Sequence, residues 1–594
     1  TGDERRRAHD ALAELWREQP DRCAWHLAEA AVGPDEQVAL LLQQTAHRSQ
    51  RRGDAAGAVA ALVRAANLSQ SGEDRARRLA EAAYIAAEEA GELRRASVLL
   101  ADARRTDPGL AYSLHGAAAA VLLLLDTDGD VNTAHRLLVD AIETGDHGYD
   151  AANTGLIEAI QNLMLICWFS SKPAMWEPFY AALARLRPEP PDFLSVASKT
   201  FADPARTAAT ALGEFDALAA GLRDVHDPAR IIRIGTASVY VDRLADSREG
   251  CWHLVQQGRE DGPARRHLAA LMHLCLDDFL TGRWDESYEL AEEGIGVCDV
   301  HRYRFFEWYF HYNLALIEAV RGEFDRSRAH ADEMIRWAVP RGVRVAELFA
   351  QHPRVLAAMG EGDFESAYRH ATALSPAGTL ASHVPHALWV ILDLVEAGVR
   401  TGRHAEAAAH VAATREADIA AISSRMALLQ NGSAAIAAAD ADVTELFERA
   451  LAIPGADRWQ FDHARVQLAY GEHLRRERTM IAARNRLAAA LKTFERLGAR
   501  PWADRAAAEL RATGQTRPRA GDYARASLTP QEREIASLAA EGLTNKQIGE
   551  RLFLSHRTVG NHLHRIFPKL GITTRAALRD ALDAYTDGAD QAPD

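Results

Sequence analysis

The chain has little of what several protein classes require. Its five cysteines are an odd number, lie far apart and form no CxxC pair, which argues against a disulfide framework or a zinc knuckle and favours a reducing compartment. The longest apolar run, from Ala117 to Leu125, is half of what a bilayer span needs, and no charged-then-apolar leader opens the chain. We therefore expect a cytoplasmic protein without a membrane partner.

Catalytic motifs are also lacking. The sequence contains no nucleotide phosphate-loop motif, no HExxH and no GxSxG, and Gly294-Ile295-Gly296 lacks the third glycine of a dinucleotide loop. His267, His273 and Cys275 are close in sequence, but their spacing does not put all three on one face of a helix. We expect no enzyme active site, no metal site and no cofactor.

Length and charge predict a composite molecule. Because 594 residues exceed what one hydrophobic core organises, we expect several domains, or one repeat array plus a smaller module. Residues 517 to 582 hold eleven Arg and Lys against six Asp and Glu, a balance of +5, so the rest of the chain carries −19 to reach the total of −14. This asymmetry predicts a basic module attached to an acidic body.

Strand patterns are rare and helical periodicity runs almost throughout, which predicts an all-α fold. A glycine followed five residues later by a small residue recurs at regular spacing. Each period fits two antiparallel helices, in which the glycine ends the first helix and the small residue lets the second approach closely. The glycines are Gly53, Gly91 and Gly129, spaced by 38, and Gly282, Gly322, Gly362 and Gly402, spaced by 40.

These periods are similar to tetratricopeptide-like hairpins, although the usual period is 34 residues. The stretch from about 140 to 270 loses the period and contains several prolines. We predict helical repeats at 1–140, an irregular helical segment at 141–270, further repeats at 271–513, a linker at 514–526 and a separate domain at 527–594.

A superhelix of hairpins has a concave groove that suits a small molecule, a peptide or a protein. Aromatic residues are concentrated around Trp168 and Trp176, and seven lie between Tyr303 and Tyr312. Two interpretations remain open: a helix buried on both sides, or an effector pocket with a cationic rim. The candidate effector residues are Trp168, Trp176, Tyr303, Arg304, Phe306, Trp308 and Tyr312.

The C-terminal segment from Leu528 to Leu582 has three marked helix starts. Thr529 and Glu532 form the pattern of a capping box with Pro530 at the first helical position, Thr544 and Gln547 repeat the box, and Ser555 is a third cap. One apolar stripe per helix predicts a small shared core. The stripes are Ile535, Leu538 and Ala539; Ile548 and Leu552; and Val559, Leu563, Ile566 and Leu570.

The third helix has a polar and cationic face opposite its apolar stripe, formed by Arg557, Gly560, Asn561, His564 and Arg565. A short turn at Phe553-Leu554 precedes it, which is typical of a helix-turn-helix. Asn can bond adenine bidentately in the major groove, and Arg can bind guanine or phosphate. The segment therefore predicts a domain that binds double-stranded DNA.

This segment resembles the LuxR-type four-helix DNA-binding domain. The resemblance implies recognition by the third helix, a fourth helix near Thr574 to Ala584 that supports dimer contact, and paired half-sites. It rests on Thr529, Glu532, Gly542, Asn545, Lys546, Ile548, Ser555, Thr558, Val559, His562, Lys569, Leu570, Gly571 and Arg575. The predicted DNA-binding residues are Thr544, Lys546, Ser555, Arg557, Thr558, Gly560, Asn561, His562, His564, Arg565 and Lys569.

Two residues depart from the family pattern. Gly560 replaces a long cationic residue, which shifts base contact toward Asn561 and His564 and costs about 1 kcal/mol of helix propensity. Pro568 removes a helical hydrogen bond and is expected to kink or end the third helix near Phe567. Lys546, Arg565 and Lys569 are then expected to contact phosphates, which gives affinity without sequence choice.

The segment DRCAWHLAEAA from Asp21, followed by repeats, resembles the large ATP-binding LuxR regulators akin to the maltose regulator. Their nucleotide-binding module is missing here, so the chain is either a fragment or a relative without it. We expect a transcriptional regulator that binds promoter DNA as a homodimer and contacts RNA polymerase. Its repeats are expected to sense an effector or partner. The alternatives are a nucleotide-dependent switch ATPase whose ATPase module is missing here, and a repeat scaffold for protein-protein interaction.

Overall fold

The protein is all-α, as the sequence predicts. The computed structural model describes residues 1–109, 113–127, 129–222, 227–260, 262–439, 443–514, 530–552, 554–569, 572, 575, 578–579 and 582, with side chains except at 530, 531, 533, 557, 561, 564, 565, 568 and 569. In these residues the only β-type pairing is one isolated bridge between Asp150 and Arg187. None of their helices is long and apolar enough to cross a membrane.

The chain divides into two compact units. The first comprises Thr1–Ala469 with Lys492–Trp502, and the second comprises Tyr470–Leu491 with Ala503–Asp594.

The first helices of the chain begin at side-chain caps. Asp35, Asp54, Ser71 and Ser113 each accept a hydrogen bond from a backbone N–H in the first turn that follows, which satisfies a donor that the helix itself leaves unpaired. The helices are α1 (Gly2–Leu15), α2 (Pro20–Ala30), α3 (Glu36–Arg51), α4 (Ala55–Leu68), α5 (Gly72–Glu88), α6 (Leu93–Thr106), α7 (Leu114–Leu125) and α8 (Val131–Thr144).

The following stretch is less regular, with helices of uneven length. They are α9 (Thr154–Ser170), α10 (Trp176–Arg185), α11 (Asp192–Thr200), α12 (Pro204–Thr207), α13 (Leu212–Ala220), α14 (Pro228–Ser238) and α15 (Arg248–Arg259). Short 3-10 turns separate several of them, at Pro173–Met175, Ala208–Ala211 and Leu244–Ser247.

The next helices begin with five of equal length. They are α16 (Ala264–Thr281), α17 (Trp284–His301), α18 (Arg304–Arg321), α19 (Phe324–Arg341), α20 (Arg344–Glu361), α21 (Phe364–Leu374), α22 (Ile391–Arg400), α23 (His404–Glu416), α24 (Ser424–Ala437), α25 (Val443–Leu451), α26 (Gln460–Arg476), α27 (Met480–Leu497) and α28 (Arg500–Ala512). From α16 to α20 every helix has 18 residues and every turn has two. Two such helices and their turns give the 40-residue period.

The glycines that mark this period end helices in the left-handed conformation. Gly282, Gly322 and Gly362 have φ of 86°, 83° and 77°, where a residue without a Cβ is least strained. Gly129 is an exception, because its φ is outside the left-handed region and its place beside the Leu124 side chain leaves no room for a Cβ. The spacing of 38 residues in the first helices therefore does not mark one repeated turn conformation.

The small residue five positions after each glycine is buried, as predicted. Ser287 and Ser327 each donate a hydrogen bond of 2.8 Å to a carbonyl twelve residues earlier, that of Cys275 and Ala315. A serine at this position thus makes the same contact between the two helices of each of these two hairpins. The buried small residues are Ala58, Ala96, Ala134, Ser287, Ser327, Ala367 and Ala407.

Two glycines of α17 test this close packing. A Cβ on Gly294 would lie 2.3 Å from the Phe310 ring of α18, whereas a Cβ on Gly296 would meet nothing within 4 Å. We expect Gly294→Ala to destabilise the chain by about 1–3 kcal/mol through overpacking, and Gly296→Ala to stabilise it by up to about 1 kcal/mol through helix propensity. Thermal unfolding followed by circular dichroism checks both, and an unchanged midpoint for Gly294→Ala would contradict this account of the contact.

Candidate functional sites

Three helices in the C-terminal segment start where the sequence predicts. They are α29 (Pro530–Ala540), α30 (Asn545–Leu552) and α31 (His556–Lys569). Helix α29 starts at Pro530 as predicted, while Thr529, the predicted cap, lies outside the described residues. It ends at Ala540, and the turn that follows contains Gly542 with a φ of 94°, while the N–H of Leu543 donates to the Leu538 carbonyl at 3.2 Å.

The second predicted capping box is confirmed. The Gln547 N–H donates to Thr544 Oγ1 at 3.3 Å, and the Thr544 N–H donates to Gln547 Oε1 at 2.8 Å. At the third helix start, the Thr558 N–H donates to Ser555 Oγ at 3.0 Å. These bonds fix the first turns of α30 and α31, so the orientation of both helices is set by hydroxyls that the sequence identifies.

The apolar stripes meet in one core, as predicted. Ile535, Ile548, Val559 and Ile566 are fully buried within it, and Leu578 joins them. Leu552 is partly buried against this core, and Leu570 lies outside the described residues. Each helix of the three therefore turns one face inward.

A glycine that the sequence motifs did not single out allows the turn between α30 and α31. A Cβ on Gly549 would lie 2.5 Å from the carbonyl oxygen of Leu554, and the Leu554 N–H donates to the Gly549 carbonyl at 2.8 Å. The backbone of the turn thus folds directly onto the helix that it leaves. Phe553, one of the two predicted turn residues, lies outside the described residues.

Arg575 ties the end of the segment to the start of α30. Its Nη1 donates to Asn545 Oδ1 at 2.6 Å, and its Nη2 donates to the Leu543 carbonyl. Such charge-assisted bonds are about twice as strong as neutral ones. Asn545 and Arg575, which belong to the resemblance, therefore hold the helix-turn-helix together in this structure.

The predicted DNA-binding residues differ in how far the structure describes them. Thr544, Lys546 and Ser555 are exposed, and Lys546 forms no ion pair with any described residue. Thr558, Gly560 and His562 on α31 are partly exposed. The side chains of Arg557, Asn561, His564, Arg565 and Lys569 are outside the described atoms, so their contacts stay predictions.

The third helix extends slightly further than expected. It runs through Pro568 to Lys569, two residues beyond the predicted end near Phe567. The Ile572 N–H then donates to the Phe567 carbonyl at 3.0 Å, which closes the helix end. Predicted and observed helix ends commonly differ by one or two residues. A proline ring removes a hydrogen bond to the preceding turn, but the proline itself can still adopt helical dihedral angles.

Known proteins match this same segment. Residues 526–581 match the sequence model of bacterial regulatory proteins of the luxR family. This segment is a LuxR-type helix-turn-helix domain. The matched LuxR-type domain includes all of α29, α30 and α31.

Relatives of the LuxR-type domain are named as transcriptional regulators. The putative HTH-type transcriptional regulator Mb0914c of Mycobacterium bovis is 52% identical over 54 residues, which are 9% of this chain and 6% of that protein. The DNA-binding transcriptional activator DevR/DosR of Mycobacterium tuberculosis is 52% identical over 48 residues, 8% of this chain and 22% of that protein. LiaR of Bacillus subtilis is 51% identical over 49 residues, 8% and 23%. The chain thus spans a small fraction of the length of these relatives.

A second candidate site lies in the helical body. A cavity of about 420 Å³ is lined by residues of α3, α5, α7, α9, α14, α16, α18 and α20. Of the predicted effector residues, Trp168 and Phe306 line it. Trp168 is 6% exposed, and its Nε1 donates to the Tyr240 hydroxyl at 3.1 Å.

The other five predicted effector residues do not line this cavity. Trp176 stacks on His383 with ring centroids 4.7 Å apart, and Tyr303 is fully buried. Arg304 is an exposed residue that pairs with Asp299 and Glu307 at 3.0 and 3.1 Å.

The remaining two belong to the core around α18. Trp308 packs against the Trp168 and Phe349 rings, and the Tyr312 hydroxyl lies 3.0 Å from His352 Nδ1. Of the two interpretations of this aromatic helix, burial on both sides accounts for most of its rings. Only Phe306 and Tyr309 of this helix face the cavity.

The polar wall of the cavity comes from residues that no sequence motif indicated. Tyr84 and Arg233 both donate to the Glu158 carboxylate, the tyrosine at 2.9 Å. Arg265 Nε lies 2.7 Å from Glu88 Oε2, and Arg266 Nη2 donates to Glu89 Oε2 at 2.9 Å. These partners lie on separate helices up to 177 residues apart, so no local pattern could have shown that they meet.

The glycine at the helix turn gives a test of the DNA-binding domain. We expect Gly549→Ala to destabilise the domain by about 1–3 kcal/mol, since the turn backbone must move away from the new methyl group. Hydrogen exchange of peptides from 530–569 in the full chain measures this, because local unfolding raises the exchange rate.

Gly560→Ala is the matched control. A Cβ there would lie 3.6 Å from Asn545 Nδ2, an ordinary contact, so the gain of up to about 1 kcal/mol in helix propensity should slow exchange. Equal effects of the two substitutions would show that the close turn at Gly549 does not limit stability.

Proposed function

We propose that this chain is a DNA-binding transcriptional regulator whose LuxR-type domain binds promoter DNA and whose helical body senses an effector. The observation that carries the proposal is α31, a helix capped by Ser555 and held behind a close turn at Gly549, in a segment that matches a family of regulators. In a helix-turn-helix the second helix of the motif enters the major groove.

The charge of the domain supports the same proposal. Residues 517 to 582 carry a balance of +5 in a chain of −14, and Lys546 is exposed without an acidic partner among the described residues. A lysine that is already paired with a carboxylate has less to gain from a phosphate. Lys546 is therefore free to neutralise one.

The remaining roles follow from this arrangement as proposals. We propose a homodimer that binds paired half-sites, since helix-turn-helix proteins commonly mirror a palindromic operator with their own symmetry. Contact with RNA polymerase and a cytoplasmic location are inferred with it, because promoter DNA and the polymerase are found there. The cavity in the helical body is the candidate effector site.

Substitution of one lysine separates phosphate contact from sequence recognition. We expect Lys546→Ala to weaken binding to specific and to random DNA by the same factor. The slope of the logarithm of the binding constant against the logarithm of the salt concentration should fall in magnitude by about 0.9, because one counterion fewer is released. Fluorescence anisotropy with genomic fragments selected by the purified chain, between low and physiological salt, measures both quantities.

Lys492→Ala is the control of equal charge. Lys492 is exposed on α27 and forms no ion pair with described residues, so its loss removes the same charge from a different part of the chain. The slope should then stay at its original value. If Lys492→Ala lowers the slope as much as Lys546→Ala does, the phosphate contact is not at Lys546.

A second substitution addresses sequence choice. Asn561 is the residue of α31 that we expect to bond a base, so Asn561→Ala should weaken specific DNA by about 1–3 kcal/mol and leave random DNA nearly unchanged. The ratio of the two affinities is the measured quantity. An equal loss on both kinds of DNA would instead assign Asn561 to the backbone.

A further inference from the structure

The cavity in the helical body changes character along its length. On α9 the lining residues run from Glu158 through Gln161 and Asn162 to Trp168 and Phe169. At a rise of about 1.5 Å per residue, the ten steps from Glu158 to Trp168 span roughly 15 Å. On α16 the lining likewise passes from two arginines to Met272 and His273. The cavity is therefore elongated, with a charged end and an apolar end.

The apolar end is built from aromatic rings. Trp168 lies 5.2 Å from Phe201 and 5.7 Å from Phe349, measured between ring centroids, and all three rings line the cavity. Because the Trp168 Nε1 is already bonded to Tyr240, this end offers ring surface and no free donor from the indole. Such a surface suits a flat apolar group.

The charged end holds carboxylates and guanidinium groups in nearly equal number. Its lining residues are Glu81, Glu88, Glu89, Glu158 and Asp227, with Arg51, Arg233, Arg265 and Arg266 and the imidazoles of His47 and His115. Burial is the main cause that raises the pKa of Glu89 to about 7, and the neighbouring carboxylates act in the same direction. At the opposite, apolar end, burial lowers the pKa of His273 to about 4, so this ring adds no positive charge at neutral pH.

One buried acceptor at this end lacks a donor. Gln161 is 8% exposed, and its Oε1 has no hydrogen-bond partner among the described residues. Glu88, on the neighbouring α5, has one partner here, an ion pair in which its Oε2 lies 2.7 Å from Arg265 Nε. A buried acceptor without a donor costs about 1–3 kcal/mol, which a ligand that donates recovers.

We propose that this cavity binds an elongated organic amine, with its ammonium group at the end that holds Glu88 and Gln161 and its aromatic body against Trp168. The ammonium supplies the donor that Gln161 Oε1 lacks and pairs with the Glu88 carboxylate. The amine's role as the effector of transcription rests on the proposed function, whereas its binding does not.

The opposite choice would be an anionic head group held by arginines. Arg266 is occupied by Glu89 and by the Gly53 carbonyl, and Arg233 is occupied by Glu158. Arg265 is held by Glu88 and lies over the Phe306 ring, 4.9 Å from its centroid. Arg51, the exposed fourth arginine of the lining, forms no ion pair with a described residue, so an anion would meet one free guanidinium and would otherwise compete with these carboxylates. An anion is therefore the first alternative to test.

Three dansyl probes of matched length test the choice of charge on the full chain. Dansylcadaverine has a terminal ammonium, dansyl-6-aminohexanoate has a terminal carboxylate, and dansyl-pentylamide has no charge. Fluorescence titration should give the ammonium probe at least about tenfold tighter binding than the carboxylate probe, with a blue shift as the ring enters the apolar end. Equal or tighter binding of the carboxylate probe, or no binding of any probe at millimolar concentration, would overturn the proposal.

Substitutions then locate the head group. Glu88→Gln should weaken the binding of dansylcadaverine about tenfold and leave the affinity for the uncharged probe unchanged, since only the charged bond is lost. Glu73→Gln, an exposed position at the start of the same α5 helix, is the control and should change neither. An unchanged affinity of Glu88→Gln for the ammonium probe would contradict the assigned position.

Gln161→Leu separates a binding role from a structural one. Because Gln161 Oε1 has no partner to lose, the variant should keep or raise the unfolding midpoint while weakening dansylcadaverine severalfold. A lower midpoint with unchanged binding would assign Gln161 to the fold alone. Fluorescence anisotropy with DNA in the same preparation distinguishes the two proposals. DNA binding without amine binding refutes only the amine site. Amine binding without DNA binding refutes only the proposal that the chain is a DNA-binding regulator.

Discussion

The helical body depends on how closely two helices joined by a two-residue turn can approach each other. A left-handed residue ends the first helix, and a buried small side chain five positions later lets the second lie against it. Where that side chain is serine, as at Ser287 and Ser327, its hydroxyl bonds a carbonyl of the opposite helix and fixes the register. A hairpin of this kind cannot bury both faces alone, so it packs against other helices, and the cavity is a space left between packed helices.

Features that arise within a few residues could be predicted from the sequence. The capping hydroxyls of Thr544 and Ser555 act on N–H groups within one turn, so their pattern is visible locally. Gly549 could not be recognised in this way, because the atom that excludes a side chain there belongs to a turn whose shape is known only in three dimensions. Arg575 likewise meets Asn545 across 30 residues. The charged wall of the cavity is the extreme case, since its partners come from four helices.

The aromatic helix α18 shows why composition alone leaves function open. A ring in a ligand pocket and a ring in a core have the same sequence preference, because both are surrounded by apolar atoms. In this fold α18 packs against α16, α17, α19 and α20, so most of its rings are enclosed by neighbouring helices. Phe306 and Tyr309 differ only in facing the gap toward α9 and α16. Helix neighbours, rather than aromatic content, decide which rings a ligand can reach.

Charge must also be considered locally rather than for the whole chain. At physiological salt, charges separated by more than about 8 Å are largely screened. A total of −14 therefore does not oppose DNA binding by a segment that carries +5, provided that its own cations, such as Lys546, are unpaired. The acidic remainder acts differently, because it is repelled by phosphates wherever it approaches them. Contacts with DNA are then confined to the basic domain, and non-specific adsorption through the large helical body is suppressed.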